Sequence, residues 1–339
     1  MKHISINIII YLLAIFSFFS SVKSQIKYHT LTVKDSVGST SINPPDDAFL
    51  LAEPLSTAMD SKGNIFILDR KLHSVIKLDS NLQVIKEVGR QGNGPLEFYF
   101  MEARNAGKIV VDNSDNVYVF ELRMRGQLIN NNLDQCIEMN TFQSFIYDIV
   151  IGNNGNIFAH SRNMKKKTLI DVYNQNGDYL KSFSKMFIVN PPEEQLLSFN
   201  QMYLTINEHD ELYTITKRSP IIRKYDKDRT LVFEKKINFG KVIKDKEFVN
   251  YYNNSPKIDE LEHRKLKKNE TLQPLVFCMC SDKDYVYLKL FRDHIVQMTR
   301  QGIITDVYEL DFSTYEKKYE YCFIMDFDVR KNKIFIILG

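Results

Sequence analysis

A short signature of a polar turn followed by an apolar run recurs six times along the chain. Each copy contains Asp, Asn, Glu or Lys residues, often with Gly, before three or four residues that are mostly apolar. Aligning positions 64, 116, 156, 211, 284 and 333 gives spacings of 52, 40, 55, 73 and 49 residues. A period of this size, built from short strands and tight turns, is typical of radially repeated β-sheets.

The repeat predicts an all-β fold, a six-bladed β-propeller of four-stranded antiparallel blades. The run after each turn is apolar on both faces, as expected for a strand inside a blade that is packed between two others. The first copy indicates a whole blade, with strands at 55–59, 65–68, 75–78 and 84–88, and the innermost strand of the second blade is expected at 108–111.

The segment GRQGNGPLEF at 89–98 has two readings, a phosphate-binding loop or a crossing between two blades. Gly89, Gly92 and Gly94 fit neither of the usual glycine spacings of phosphate loops. Because no amphipathic helix follows, the segment is predicted to be a crossing with no helix. At least one of Gly92 and Gly94 is expected at positive φ.

The residues 60–121, which contain this crossing, resemble the NHL-like six-bladed β-propellers common among exported Bacteroidetes proteins. The resemblance implies a six-bladed propeller in which the glycine-rich crossing closes the first blade. It implies little about activity, because most members have none assigned. Many members are lipoproteins, and this chain departs from them by having no cysteine near its leader.

The first 24 residues resemble a secretory signal peptide, with Lys2 and His3 before an apolar run at 8–19. The expected organisation is therefore a leader at 1–24 and a propeller at 25–339, in a secreted or periplasmic protein with no membrane span. The 45 Lys and Arg residues nearly balance the 42 Asp and Glu residues. Such a balance gives no electrostatic footprint for nucleic acid.

Two stretches of the sequence interrupt the repeat. A short helix is expected at 191–197, and a partly helical insertion at about 241–271, where Glu260 and Arg264 are spaced to pair on a helix. The insertion is either a lid over one face or padding in a loop.

The sixth copy ends after its second strand, so its outer strands are missing. A strand from residues 26–52 is expected to pair with the last repeat near 334–337 or its blade. A truncated reading frame is the competing explanation for the missing strands.

Cysteine and histidine give no clear chemical site. For the four cysteines, buried free thiols are favoured over a disulfide pair, with a metal site as a third reading; they are Cys136, Cys278, Cys280 and Cys322. The seven histidines are scattered, and no hydrolase or zinc-protease motif occurs.

An arginine follows the second strand in five of the six copies, which predicts five arginines on one face of the ring. They are Arg70, Arg123, Arg162, Arg218 and Arg292. Arginine suits the recognition of carboxylates and phosphates, so an anion-binding funnel is one interpretation. The other is that each arginine pairs locally with a neighbouring carboxylate. Tyr251 and Tyr252, in the insertion, are candidates for contact with a glycan.

The sequence favours an exported binding module over an enzyme. The expected partner is a small anionic molecule, a glycan or a protein, with no catalytic residue assigned and no cofactor predicted. A metal-dependent hydrolase or lyase of the lactonase type, with a divalent metal in the channel, stays open as the alternative. Three acidic, Asn or His side chains on the channel axis would favour the enzyme, and an apolar plug would favour the module.

Overall fold

The computed structural model describes residues 25–32, 51–100, 107–121, 125–140, 142, 146–161, 167–187, 200–254, 274–291, 294–311, 324–330 and 333–338. The predicted leader at 1–24 lies outside these residues. So do Cys322, the predicted helix at 191–197 and the predicted Glu260–Arg264 pair.

The described residues form twenty-three strands in six sheets. The N-terminal strand is β1 (Lys27–Thr32). The first blade contains β2 (Pro54–Met59), β3 (Ile65–Asp69), β4 (Ser74–Leu78) and β5 (Val84–Val88). The second contains β6 (Gly107–Val111), β7 (Val117–Glu121), β8 (Arg125–Ile129) and β9 (Cys136–Glu138). The third contains β10 (Ile146–Ile151), β11 (Ile157–Ser161), β12 (Thr168–Tyr173) and β13 (Tyr179–Lys185).

The second half of the chain continues the same arrangement. The fourth blade contains β14 (Met202–Ile206), β15 (Leu212–Thr216), β16 (Ile221–Tyr225) and β17 (Leu231–Lys236). The fifth contains β18 (Val276–Ser281), β19 (Tyr285–Leu290), β20 (His294–Thr299) and β21 (Ile304–Asp311). A last sheet has two strands, β22 (Ile324–Arg330) and β23 (Lys333–Leu338).

The prediction of six four-stranded blades is wrong, because the described residues form five such blades and a two-stranded sheet. The sixth copy supplies only β22 and β23 there. This sheet lies between the fifth and first blades, since Phe327 packs beside Cys278 of β18, and Asp326 bonds the backbone of Thr57 in β2. The protein is therefore an all-β propeller whose six innermost strands come from sheets of unequal size.

The N-terminal strand β1 pairs with the fifth blade and not with the last sheet, and residues 33–50, most of the remaining segment from which a closing strand was predicted, lie outside the described residues. β1 pairs in parallel with β21, from Lys27 opposite Asp306 to Thr32 opposite Asp311. Side chains reinforce the pairing, because His29 Nε2 lies 2.7 Å from Asp306 Oδ1. β1 thus covers the outer edge of the fifth blade, where it extends that sheet to five strands.

The turns between first and second strands follow the sequence prediction. Asp60 Oδ1 accepts hydrogen bonds from the backbone N–H groups of Lys62, at 3.0 Å, and Asn64, at 2.8 Å. Asp112 and Asn207 cap the corresponding turns of the second and fourth blades in the same way. Side chains that bond the backbone two and four residues ahead stabilise tight turns, which explains why these residue types recur.

The segment 89–98 crosses between blades and contains no helix, as predicted. The predicted positive φ at Gly92 or Gly94 is wrong, because within the segment it occurs at Gly89, with φ 123°, and Leu96, with φ 54°. At Gly92 an added Cβ would meet the carboxylate of Glu97, which Arg90 and the N–H of Gly94 hold in place. That carboxylate accepts the N–H of Gly94 at 2.9 Å and so fixes the loop.

Part of the insertion after the fourth blade is helical, as predicted. A 3₁₀ turn at Phe239–Lys241 precedes helix α1 (Lys246–Asn254), whose Phe248 and Tyr252 are buried. They join the core cluster between the fourth and fifth blades. In the part of the chain that the structure describes, no helix is both long and apolar enough to cross a bilayer.

Candidate functional site: a polar ring in the channel

Six residues occupy equivalent positions on the six innermost strands. On four of these strands the residue comes directly after a shift in the register with the second strand. On the other two strands, which have no shift, it lies three positions before the last paired residue. These residues, the channel ring, are Ser56, Lys108, Asp148, Tyr203, Cys278 and Asp326. The ring converges on the axis, since Lys108 Nζ lies 3.6 Å from Asp148 Oδ1 and 4.0 Å from Asp326 Oδ1.

The two carboxylates of the ring join neighbouring innermost strands. Asp326 accepts hydrogen bonds from Ser56 Oγ at 2.8 Å and from the N–H of Thr57 at 3.0 Å. Asp148, on the opposite side of the ring, makes a similar contact with its neighbouring blade: it accepts a hydrogen bond from the N–H of Leu204 at 2.7 Å. Each also accepts the N–H of its own following residue. Both carboxylates therefore satisfy buried backbone donors that the blades leave unpaired at the axis.

Lys108 supplies the ring's positive charge. Its side chain is 23% exposed, whereas those of Asp148 and Asp326 are 4% and 8% exposed. Burial alone would lower the pKa of Lys108, but Asp326 and Asp148 outweigh it and raise the pKa above the ordinary lysine value. Lys108 thus stays charged between two carboxylates.

The remaining ring members are neutral. Burial, with the nearby carboxylate of Asp326, raises the pKa of the Cys278 thiol well above its ordinary value, and burial likewise raises the pKa of Tyr203. Cys278, Cys280 and Cys136 are free thiols, and the first two are buried. The preference for buried free thiols is confirmed for Cys278 and Cys280, whereas Cys136 is a half-buried free thiol.

Lys217 lies at one end of the channel, directly after β15, where the second-to-third-strand turns emerge. Its ammonium group lies 4.3 Å from the ring centroid of Tyr203. Burial lowers the pKa of Lys217 to about 8, with Asp148 opposing the shift and Arg218 and Lys108 adding to it. The channel mouth, defined here by Lys217, Arg218, Tyr203 and Tyr251, is therefore cationic and aromatic.

Two of the five predicted arginines lie in the described residues. Arg70 pairs with Glu53 and is 15% exposed, while Arg218 donates from Nη1 to Gln201 Oε1 at 2.7 Å. Both contact the residue directly before an innermost strand, so both lie on the same face of the propeller. Arg123, Arg162 and Arg292 lie outside the described residues.

The two aromatic candidates differ in their surroundings. Tyr251 is half-buried and stacks on Phe291, with ring centroids 3.8 Å apart and planes within 4°. Its hydroxyl donates to the carbonyl of Pro274 at 2.8 Å, and Arg218 is its charged neighbour. Tyr252 points the other way and is buried in the core. Of the two, Tyr251 adjoins the channel mouth.

The sequence pattern did not single out Lys108, Asp148, Asp326 or Lys217. The signal for the carboxylates was weak but present, since Asp148 lies three and Asp326 four residues before the end of its innermost strand. Lys217 could have been found from its place directly after the second strand of its blade, because Arg70 occupies the same position in the first blade. Both donate their backbone N–H to the residue before the first strand of their blade, namely Glu53 and Gln201.

Among the described residues, no group of three or more His, Cys, Asp or Glu side chains is arranged to hold a metal ion. The chemistry of the ring agrees with this. The oxygens of Asp148 and Asp326 accept backbone N–H groups, and an ammonium group lies between them. A divalent cation there would have to displace Lys108.

The fold and the channel ring define the class of protein as a β-propeller with a polar, charged channel. No protein-family model matches the sequence, and no curated protein matches it. The chain is similar in fold to a streptogramin B lyase structure, with TM-score 0.47 and 13% identity over 84% of this chain and 75% of that one.

Two further structures resemble the chain to a similar degree. The selenomethionine-substituted virginiamycin B lyase from Staphylococcus aureus gives TM-score 0.43 and 13% identity over 76% of this chain and 70% of that one. Kuenenia stuttgartiensis hydrazine synthase gives TM-score 0.44 and 12% identity over 78% and 67%. At these identities the likeness extends to the fold only.

Proposed function

We propose that this chain is an exported binding propeller that takes a small carboxylate or phosphate anion at the channel mouth. The observation that carries the proposal is the position of Lys217. Its ammonium group is half-buried, and in the described part of the chain no carboxylate lies within salt-bridge distance of it. A desolvated cation without a counter-ion is costly, so an anionic ligand would stabilise it.

The charges around Lys217 support an anion rather than a cation as the ligand. Arg218 and Lys108 are the cations that act on its amine, and Asp148 is the carboxylate that acts on it most strongly among the described residues. Asp148 is already engaged by Lys108 and by two backbone N–H groups. Among the described residues, two cations and one carboxylate therefore act on the amine of Lys217, in surroundings of low polarity where each charge acts strongly.

The same geometry supports binding over metal-dependent hydrolysis. The two ring carboxylates bridge innermost strands instead of presenting free oxygens to a cation, so the described donors do not fit a divalent metal. Tyr203 and Tyr251 instead give the mouth aromatic surfaces next to its cations, which suits an organic anion. Export is proposed from the leader-like segment at 8–19.

The test is calorimetric titration of the purified chain with lactate and with inorganic phosphate as probes. Lys217→Gln is expected to weaken binding by about tenfold or more, a loss of roughly 1.4 kcal/mol or more. Lys227→Gln is the matched control, because Lys227 is exposed in the same blade but on the opposite face. Equal affinity in parent and Lys217→Gln protein would refute the proposal, and stoichiometric zinc or calcium in the purified chain would favour the metal enzyme.

A further inference from the structure

The N-terminal strand β1 is an edge strand whose outer side is open. It pairs with β21 over six consecutive residues, from Lys27 opposite Asp306 to Thr32 opposite Asp311, with no shift in register. No strand of the described residues pairs with its other side, and five of its six residues are exposed. The backbone N–H and C=O groups of alternate residues therefore point outward along a regular edge.

Side-chain contacts hold β1 on the fifth blade. The hydroxyl of Tyr28 donates to the carbonyl of Val242 at 2.9 Å, and Lys244 Nζ lies 3.8 Å from the centroid of the Tyr28 ring. On the opposite face of the strand, the His29 ring stacks on Tyr308 with centroids 5.0 Å apart. Because these contacts order the strand in the single chain, a second strand pairs with it at a smaller cost in conformational entropy.

The outer edges of the first four blades are protected against such pairing. In the first, third and fourth blades the outer strand contains an extra residue at a register shift, namely Ile85, Leu180 and Val232. Two or more charged residues follow each of them in the same strand, and bulges and charges both disfavour edge pairing. The outer strand of the second blade has only three residues. Strand β1 has neither a shift nor an Asp, Glu, Lys or Arg residue between Tyr28 and Thr32.

We propose that β1 is a dimerisation strand, which pairs antiparallel with β1 of a second copy of the chain across a two-fold axis. Opposite residues of an antiparallel pair lie on the same face of the sheet, so the axis must pass beside one residue, which then faces its own copy. An axis at Thr30 sets Tyr28 opposite Thr32 and His29 opposite Leu31. Threonine pairs are favourable across antiparallel strands, whereas an axis at His29 would set two imidazoles opposite each other.

The sequence of β1 suits pairing with itself. Its aromatic and β-branched residues favour strands, and with the axis at Thr30 no pair within 28–32 brings like charges together. The pairing is isologous, so it covers both open edges at once and ends at a dimer. Two six-residue strands bury less surface than the roughly 800 Å² per partner of a standard interface, so the expected dissociation constant is about 1–100 μM.

The test is the mass of the purified chain in solution, measured by sedimentation equilibrium over a range of concentrations. Thr30→Lys is expected to shift the monomer–dimer equilibrium at least about tenfold toward the monomer, because two ammonium groups then face each other across the axis. Within the chain Thr30 lies opposite Glu309 of β21, so the lysine is expected to keep β1 paired, and thermal unfolding checks this.

Val84→Lys is the matched control, because Val84 is exposed on the outer strand of the first blade. It should leave the equilibrium unchanged. A parent chain that stays monomeric up to about 200 μM would overturn the proposal. So would a dimer that Thr30→Lys and Val84→Lys leave equally intact.

Disulfide trapping tests the register of the pairing. Opposite Cα atoms in an antiparallel pair are about 4.5–5.5 Å apart, which is within the range of a disulfide. Under mild oxidation Thr30→Cys is expected to form a linked dimer at least about tenfold faster than Lys181→Cys, whose thiol is exposed on the outer strand of the third blade. The parent chain measures the background from its own cysteines. Equal rates for the two variants would overturn the pairing at Thr30.

Discussion

The carboxylate of Asp326 accepts a hydrogen bond from the backbone N–H of Thr57, at 3.0 Å, across 269 residues of sequence. This contact joins the two-stranded last sheet to the first blade. Its counterpart is the bond from the N–H of Leu204 to Asp148, which joins the fourth blade to the third. The ring therefore closes at its axis through side-chain carboxylates as well as through packing between the blades.

Asp326→Ala should destabilise the fold strongly. It leaves the N–H of Thr57 and the hydroxyl of Ser56 without their acceptor, and it removes one of the two carboxylates that face Lys108. The expected loss in the free energy of unfolding is about 2–4 kcal/mol. Denaturant unfolding measures it. The exposed turn residue Asp284 is the control, and Asp284→Ala should change stability by less than about 0.5 kcal/mol. Equal effects of the two variants would show that closure does not depend on this carboxylate.

Gly89→Ala should disrupt the crossing after the first blade. Gly89 has φ 123°, and a Cβ there would lie 2.5 Å from the carbonyl oxygen of His73 and 2.8 Å from the ring of Phe98. Backbone strain and the clash together are expected to cost about 3 kcal/mol or more. Gly63→Ala isolates the strain, because Gly63 has φ 89° but its nearest contact is 3.9 Å away; it should cost about 1 kcal/mol. Equal melting temperatures of Gly89→Ala and Gly63→Ala would contradict this prediction.

The repeat was predictable from the sequence because each turn carries its own chemistry. Asp60 and Asp112 cap their turns through bonds to residues only two and four positions ahead, so the signal is local. The strands of the first blade were located to within one residue for the same reason. The number of complete blades was not predictable, because the sixth copy carries the same local turn-and-strand pattern as the others, although only two strands of its sheet lie in the described residues.

The candidate site was less predictable than the fold. The channel ring takes one residue from each sheet, so its members lie far apart in the sequence and share no residue type. Asp148 and Asp326 each follow a register shift in their strands, but Ser56 and Cys278 occupy the same position without charge. Only the register of each innermost strand with its second strand identifies the set.

Glu211 should protect the fold against acid. It accepts hydrogen bonds from Arg300 at 2.7 and 2.8 Å, joining the fourth and fifth blades. Burial alone would raise the pKa of Glu211, but the bonds from Arg300 and Lys224 hold it well below the ordinary glutamate value. The folded state thus binds a proton less readily than the unfolded state. Its stabilisation is present above the ordinary glutamate pKa and is lost as pH falls below it.

Glu211→Gln is therefore expected to lower stability at neutral pH and to make it fall less steeply in acid. Denaturant unfolding at a series of pH values measures both effects. The control is Glu208→Gln, since Glu208 is exposed in the same turn. An acid profile of Glu211→Gln as steep as that of the parent would show that this carboxylate does not govern the acid transition.

Anion binding at Lys217 should depend on pH. The charged groups that act on its amine are Asp148, Arg218 and Lys108. Because its pKa is lowered to about 8, the ammonium form that attracts an anion is lost as pH rises through that value, and lactate affinity, measured by calorimetric titration at a series of pH values, should fall. Lys217→Arg should bind lactate with no break near pH 8. A break in the arginine variant would assign the titration to another group.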